Sequence, residues 1–294
     1  MGERWGEERD KELGGRQQQP EEKTGTTVEI QPKTLGIIIR ETFEVYGRGF
    51  LKLIAIVAIV EAIAYTAGWL WAMSIIMPTG GMSSAALIVG AVVVVILSVI
   101  AYLWMQGALI HLISALNLQV DNSLVSAMRT AWQRLARMVG AALVIFLIVA
   151  AASLAVFLIG WIPFLGIILI IIIFPVGIYF AVRWAFILQA VLIEGASPTE
   201  ALSRSSELVE GEWWRTFGIL FVIGIISAGI GYALSFALIF APVAGPIIAI
   251  IISTPIAIIG YTLLYYDLRA RYARVSLDRA AAELGIVVNR QPES

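Results

Sequence analysis

Three long apolar runs constrain how this chain can fold. Residues 53–110 carry Glu61 as their sole full charge, residues 138–193 carry only Arg183, and residues 216–266 carry none. One helical crossing of a bilayer needs roughly 20 apolar residues, so each run is long enough for two crossings and a turn. The sequence therefore predicts a polytopic membrane protein with six transmembrane helices.

A turn signal lies near the middle of each apolar run. Proline and glycine residues occur together at 78–81, 160–163 and 242–246. These positions divide the runs into three hairpins of two helices each. The apolar content of 60% and the mean hydropathy of +0.89 are typical of a membrane protein and exclude a soluble domain of this size.

The placement of basic residues predicts the orientation in the membrane. None of the 20 Lys and Arg residues lies in the three mid-run turns. Lys and Arg close to membrane segments stay on the cytoplasmic side. We therefore expect a multi-pass protein of the cell (inner) membrane with both termini in the cytoplasm. The net charge of −1 hides this basic side, because the 21 acidic residues, eight of them in residues 1–33, offset the 20 basic ones.

Composition also predicts the domain organisation. Residues 1–33 are charged, mixed in sign and poor in apolar residues, which indicates a disordered cytoplasmic tail without the apolar core of a signal peptide. We expect a six-helix transmembrane domain over 34–280 and a flexible cytoplasmic tail over 281–294. The chain has no cysteine, which excludes disulfides, thiolate metal sites and cysteine nucleophiles.

A polar segment with helical apolar spacing precedes each hairpin. The segments are 35–48, 124–137 and 197–215, and each ends in an arginine. The third opens with Ser197-Pro198-Thr199-Glu200, which is a capping-box start with proline at the first helical position. We predict three interfacial amphipathic helices in the headgroup layer. The predicted fold class is all-α: a bundle of six transmembrane helices, built from three repeats of an interfacial helix plus a transmembrane hairpin.

Two ionisable residues inside the apolar runs are candidate site residues. Glu61 lies about 13–14 Å and Arg183 about 16 Å from the cytoplasmic face, counted at 1.5 Å per residue along their helices. Because the depths match and the charges are opposite, we predict an ion pair between the first and fourth helices. The functional alternative is a proton or ion site at the same two residues.

One helix carries a stripe of small residues. Ser227, Gly231 and Ser235 recur every four residues in the fifth predicted helix. Such a ridge lets two helix backbones approach closely, so it predicts tight packing against a neighbouring helix.

The chain shows no recognisable motif of a soluble enzyme. A phosphate-binding glycine loop, a zinc-protease helix and a nucleophile elbow are all missing from the sequence. We predict no catalytic residues, no metal and no cofactor. Nucleic acid is not an expected partner, because the basic residues are spread over three short helices.

Two motifs carry a family resemblance. The first motif consists of Glu194-Gly195, Ala201-Leu202, Arg204-Ser205, Leu208, Gly211 and Trp213-Trp214. The second is Tyr265-Tyr266-Asp267-Leu268-Arg269, with Arg271 two residues further on. Over about residues 34–280 the chain resembles the membrane domain fused ahead of the catalytic domain in bacterial glycerophosphoryl diester phosphodiesterases. The same domain occurs in stand-alone prokaryotic membrane proteins.

The resemblance implies a six-helix membrane domain and assigns no defined activity to it. We expect no barrel-type catalytic domain beside it in this chain, and therefore no inherited hydrolysis of glycerophosphodiesters.

These observations predict a non-enzymatic integral membrane protein that organises lipid or binds a membrane partner through its cytoplasmic-side helices. The expected partners are membrane lipids and an unidentified membrane protein. The predicted recognition patch on the cytoplasmic rim consists of Arg204, Trp213, Trp214, Arg215, Asp267, Arg269 and Arg271. We expect Arg204 to pair with Asp267 there. The alternative is a small-molecule or lipid transporter with a site near Glu61 and Arg183. An intramembrane enzyme would need a catalytic constellation that these residues do not form.

Overall fold

The computed structural model describes residues 33–76, 84–120, 123–159 and 165–283. The helices within these ranges are α1 (Leu35–Ile76), α2 (Ser84–Asn117), α3 (Leu124–Ile159), α4 (Leu165–Arg183), α5 (Pro198–Val209), α6 (Trp213–Ala237) and α7 (Ala244–Glu283). An α-helical turn, Ile187–Gln189, and a π-helical turn, Ala190–Glu194, connect α4 to α5. The predicted all-α class is confirmed.

Six helical segments are long and apolar enough to cross a membrane. They comprise α1, α2, α3, the segment from α4 to the π-helical turn, α6 and α7. The prediction of six spans is therefore confirmed. The third predicted turn, 242–246, lies where α6 gives way to α7. The first two predicted turns, the tail 1–32 and residues 284–294 lie outside the described residues.

The first two polar segments are helical, but they are not separate helices. Residues 35–48 form the beginning of α1, which continues for 42 residues. Residues 124–137 form the beginning of α3, which continues for 36 residues. The prediction of two separate interfacial helices was wrong at this point, because no residue between each polar segment and its apolar run ends the helix.

The beginning of α1 packs against the last hairpin. A 42-residue helix is about 63 Å long, roughly twice the hydrocarbon thickness of a bilayer, so α1 extends well beyond its single membrane crossing. Ile38, Thr42 and Val45 on its first turns are buried. The Tyr46 hydroxyl donates a hydrogen bond of 3.0 Å to the carbonyl of Ile252 in α7. This part of α1 therefore contributes to the core instead of standing alone on the surface.

The beginning of α3 packs against α2. The indole N–H of Trp104 donates to the carbonyl of Met128 over 3.0 Å. Gly107 faces Ala131 and Met138, and a Cβ added at this glycine would lie only 3.0–3.3 Å from their side chains. The small residue thus permits the close approach of the two helices.

The third polar segment does form a helix of its own. Gly195, at φ 74°, takes the left-handed conformation that ends the preceding π-helical turn. Ser197 then starts α5 through a capping box: its side chain accepts from the Glu200 N–H, and the Glu200 carboxylate accepts from the Ser197 N–H. The stop and start signals stand side by side here, which explains why only this segment is separate.

The ridge of small residues in α6 packs against α7, as predicted for two of its members. The Ser227 hydroxyl donates to the carbonyl of Ser253 over 2.8 Å. A Cβ added at Gly231 would lie 3.1 Å from the Ser253 hydroxyl oxygen. Further along, Gly260 of α7 leaves room for Ile223. The two helices of the last hairpin are consequently closely packed.

The buried core is concentrated in one part of the bundle. Met105, Leu109, Phe186 and Tyr265 are almost completely buried there. In contrast, only 6% of the most apolar stretch of α2, and likewise only 6% of that of α3, is buried inside the protein. These exposed apolar faces are the ones that lipid would contact.

Candidate functional site: a charged cluster and a polar cavity

A group of charged residues lies where α5, α6 and α7 meet the beginning of α1. This charged cluster consists of Lys33, Glu194, Arg204, Glu207, Glu212, Arg215, Asp267, Arg269 and Arg271. It includes five of the seven residues of the predicted rim patch, so the structure brings most of that patch together.

Asp267 is the most deeply buried charge of the cluster, with a side chain that is 1% exposed. Its carboxylate accepts from Arg215 at 2.7 Å and from Arg271 at 3.0 Å. It also accepts from the backbone N–H of Lys33 at 2.9 Å. Arg215 in turn donates to the Lys33 carbonyl at 2.7 Å. Asp267 thereby holds the start of α1 against α6 and α7.

Glu194 is the second carboxylate that collects several donors. Arg204 donates to it through two nitrogens, at 2.9 and 3.5 Å. The Tyr265 hydroxyl donates at 2.7 Å, and Arg269 lies 3.4 Å away. Burial alone would lower the pKa of Arg204, but the hydrogen bond to the Glu194 carboxylate and the nearby negative charges, of which Glu194 is the strongest, together outweigh it and raise the pKa. The guanidinium therefore stays charged.

The expected pairing of Arg204 with Asp267 was wrong. Arg204 lies on α5 and meets Glu194, which precedes the Gly195 turn and faces α5 across it. Asp267 is reached instead from the beginning of α6, through Arg215, and from its own helix one turn on, through Arg271. The local spacing 267–271 was visible in the sequence, whereas the partner across helices depends on packing.

The two tryptophans of the predicted patch lie at the beginning of α6. The Trp213 indole donates to the carbonyl of Tyr179 at 3.2 Å and stacks on Phe217 at 5.4 Å. Trp214 is 78% exposed. Trp213 therefore joins α4 to α6, while Trp214 is available to the surroundings of the protein.

Glu61 and Arg183 form no ion pair with each other in the described part of the chain. Glu61 lines a cavity of about 320 Å³ between α1 and α2, together with Ser98 and Tyr102. Arg183 donates to the hydroxyl of Tyr179 at 2.8 Å. Two residues at the same depth on different helices need not be neighbours, and here α4 does not place Arg183 next to α1.

Arginines of α3 hold the connection between α4 and α5. Arg134 donates to the carbonyls of Val191 and Leu192. Arg137 donates to the carbonyl of Gly195 at 2.9 Å. A π-helical turn that ends abruptly leaves carbonyls without helical partners, and these guanidinium groups satisfy them. The second polar segment thus stabilises the connection that leads into the third.

A polar cavity of about 350 Å³ lies between α2, α6 and α7. Its lining residues are Tyr102, Gln106, Gln189, Gly224, Ser227, Ala228, Ser253, Thr254, Ala257, Ile258 and Tyr261. Gln189, on the short helical turn after α4, is 5% exposed, and its side-chain carbonyl has no hydrogen-bond partner. Sequence reasoning missed this residue, because an amide inside an apolar run carries no charge.

The described residues do not place three or more His, Asp or Glu side chains where they could hold a metal ion. The carboxylates of Asp267 and Glu194 are both surrounded by guanidinium or hydroxyl donors. Chemically, such an arrangement joins helices and can present leftover donors to anionic groups.

The fold and these sites define a multi-pass integral membrane protein. Residues 161–268 match the family model described as the membrane domain of glycerophosphoryl diester phosphodiesterase. The match runs from the beginning of α4 to the buried Asp267 and Leu268, so it includes both motifs up to that point. The resemblance noted in the sequence is thereby confirmed over residues 161–268. No curated protein and no solved structure matches the chain.

Proposed function

We propose that the protein is a non-enzymatic membrane domain that organises lipid or holds a membrane partner at the end bearing the charged cluster. The observation that carries this proposal is the engagement of Asp267 and Glu194, each by at least two donors from elsewhere in the chain. General acid–base catalysis and metal-assisted hydrolysis need carboxylates that are free to take a proton or a metal. These two carboxylates are used to join helices.

The surface of the three polar segments suits a lipid headgroup layer. Trp214 is 78% exposed and Trp132 is 65% exposed. Arg48 of α1 and Arg129 of α3 are exposed as well. Tryptophan favours the membrane–water interface, and each basic residue near an anionic surface contributes about 1 kcal/mol of attraction. Both features support contact with anionic lipid.

The proposed orientation places both termini and the charged cluster in the cytoplasm. Its support is the distribution of Lys and Arg, none of which lies in the three mid-run turns. The absence of native cysteine makes labelling direct. We expect an impermeant thiol reagent to label Gly81→Cys, Pro163→Cys and Ala244→Cys from outside. Ser126→Cys and Ser206→Cys should react only after permeabilisation, and reaction of Ser126→Cys in intact cells would refute the orientation.

Lipid retention tests the proposed contact surface. Native mass spectrometry of the purified protein should show preferential retention of anionic over zwitterionic lipid. Replacing Arg48 and Arg129 together by glutamine should reduce that preference by roughly tenfold or more, from about 1 kcal/mol per charge. The matched control replaces both by lysine and should keep the preference. Equal retention by both double variants would show that these charges do not hold lipid.

A turnover assay tests the non-enzymatic part. Purified protein with divalent metal should not hydrolyse glycerophosphodiesters. Turnover that disappears in Glu194→Gln or Asp267→Asn would make the cluster an active site and overturn the proposal.

A transporter is the second candidate, and the cavity beside Glu61 favours it. A carboxylate lining a cavity of about 320 Å³ between α1 and α2 is the kind of residue that marks an ion pathway. Arg183 adds no support, because its guanidinium contacts Tyr179 instead. In proteoliposomes with an internal pH-sensitive dye, a proton flux that Glu61→Gln abolishes would favour transport over the scaffold function.

A further inference from the structure

We infer that the polar cavity between α2, α6 and α7 is a binding site for a neutral sugar or polyol unit, either free or as the headgroup of a lipid. This inference does not rest on the function proposed for the charged cluster, whose residues do not line the cavity.

The first support is the unmet carbonyl of Gln189. Gln189 is only 5% exposed, and its Oε1 atom accepts no hydrogen bond from the chain. A buried polar group without a partner is destabilising, because it has lost its hydrogen bonds to water without gaining others. A ligand hydroxyl in the cavity would supply the missing donor and recover that cost.

The second support is the distribution of amide side chains. The three apolar runs together contain two amides, Gln106 and Gln189. They lie on different helical segments, 83 positions apart, and both line the same cavity. The Gln106 amide N–H donates to the Tyr102 hydroxyl at 2.5 Å, so its carbonyl oxygen is left to accept from a further donor.

The third support is the chemistry of the remaining lining. Among the described residues that line the cavity none carries a full charge, so a neutral ligand suits it better than an ion. Ser253 and Thr254 contribute hydroxyls that can both donate and accept. Tyr102 and Tyr261 contribute rings with a polar tip. A sugar matches this set, because its hydroxyls also donate and accept and its C–H face packs on aromatic rings.

Size and access are consistent with such a ligand. The volume of about 350 Å³ lies at the lower end of small-molecule sites, which measure roughly 300–1,000 Å³. Tyr102 on the lining is 49% exposed, and the neighbouring Ile225 of α6 is 55% exposed. Because an exposed isoleucine on a spanning helix contacts acyl chains, the opening faces the bilayer side, which favours a headgroup that arrives attached to a lipid.

The test uses the full chain in phosphatidylcholine nanodiscs, purified in a detergent without a sugar headgroup, because a glycoside detergent would compete for the site. Native mass spectrometry measures the binding of monoglucosyl diacylglycerol against diacylglycerol, which lacks the sugar. Equilibrium dialysis with labelled glucose measures the binding of the free unit. Binding of the glycolipid alone supports a lipid headgroup, and saturable binding of glucose supports a free sugar.

The variants assign the binding to the cavity. Gln189→Leu should weaken binding about tenfold, the effect of losing one buried hydrogen bond of 1.4 kcal/mol. Gln133→Leu, at an exposed glutamine of α3, is the matched control and should bind normally. Ala228→Phe at the exposed side of the cavity should block entry, and it keeps the test valid if Gln189→Leu does not fold. The inference would be overturned if diacylglycerol were retained as well as monoglucosyl diacylglycerol. It would also be overturned if Gln189→Leu and Ala228→Phe left the binding unchanged.

Discussion

The charged cluster and the polar cavity are two polar regions of the same bundle, and they differ in how their hydrogen bonds are satisfied. In the cluster, the buried carboxylate of Asp267 receives donors from Lys33, Arg215 and Arg271. In the cavity, the buried carbonyl of Gln189 receives none within the chain. The Asp267 carboxylate is thus satisfied within the chain, whereas the Gln189 carbonyl would need a donor from an additional molecule.

The difference follows from the energies of the groups involved. An unpaired charge left in a buried site costs several kcal/mol, so Asp267 must be paired for the bundle to form. A neutral amide without a partner costs roughly 1–3 kcal/mol, which a well-packed protein can tolerate. The satisfied carboxylate of Asp267 therefore indicates a structural role, and the unsatisfied carbonyl of Gln189, which lines a cavity, indicates a site.

The largest expected effect is that of removing Asp267. In Asp267→Ala, the Arg215 guanidinium keeps only its hydrogen bond to the backbone carbonyl of Lys33. One of its nitrogens is already buried without a partner. We expect a loss of about 3–5 kcal/mol in the free energy of unfolding. Thermal unfolding in detergent measures it. Glu44→Ala is the control, because its exposed ion pair with Arg40 should contribute less than about 1 kcal/mol. Equal losses would show that the cluster does not close the bundle.

A smaller loss should follow from Tyr265→Phe. The hydroxyl of this fully buried residue donates to the Glu194 carboxylate, and a hydrogen bond to a charged group contributes about 1.5–3 kcal/mol. In a double-mutant cycle with Glu194→Gln, the two changes should be coupled by about 0.5–3 kcal/mol. Additive losses would place the Tyr265 hydroxyl outside the cluster.

The capping box of α5 should contribute about 1 kcal/mol, so Ser197→Ala should destabilise the protein by about that amount. Hydrogen bonds from Ser197 lower the pKa of Glu200 in the folded state. Because the pKa of Glu200 is lower in the folded state than in the unfolded state, where it is about 4.3, the ionised carboxylate stabilises the folded protein above that pH. This stabilisation is lost as the pH falls through the pKa of the folded state. The cost of Glu200→Ala should thus be full at pH 7 and shrink below about pH 4. A cost independent of pH would contradict the capping contact.

The smallest expected effect is the stability change of Gln189→Leu. Since the Oε1 atom has no partner to lose, an apolar replacement of similar size should be nearly neutral or slightly stabilising. Thermal unfolding without added sugar measures this. A loss comparable with that of Asp267→Ala would mean that Gln189 belongs to the structural polar network and would remove the contrast between the two regions.

The pair Glu61 and Arg183 offers a further comparison. The predicted ion pair requires that Glu61→Gln and Arg183→Gln be coupled in a double-mutant cycle. The structure places their side chains among different neighbours, which predicts additivity within about 0.3–0.5 kcal/mol. Coupling above that level would restore the sequence-based pair.

The number and placement of the spans could be predicted from the sequence, because hydrocarbon thickness sets their length. The boundaries of the polar segments could be predicted only where local signals exist. Gly195 and Ser197 mark a stop and a start, and α5 is separate as predicted. Between residues 48 and 53, and again between 137 and 141, a glycine occurs but does not take the left-handed conformation, no capping box follows it, and the helices run on.

For the charged cluster, the motif residues predicted its members but not their partners. Arg204 belongs to the first motif and Asp267 to the second, but the turn at Gly195 places Glu194, of the first motif, beside Arg204. The cavity could have been suspected from a simple signal. Gln106 and Gln189 are the two amides within the apolar runs, and such polar side chains need a reason to be there.

The contact of Lys33 with Asp267 sets an order on biosynthesis. The backbone N–H of Lys33, just before α1, donates to the carboxylate of Asp267, which lies 234 positions later in the chain. At 5–20 residues per second, the ribosome needs roughly 12–47 seconds to synthesise that stretch. During this interval the first helix is already made, while the residue that fixes its beginning does not yet exist. The final helix therefore completes the bundle. In a chain truncated before Asp267, the beginning of α1 would lack this contact.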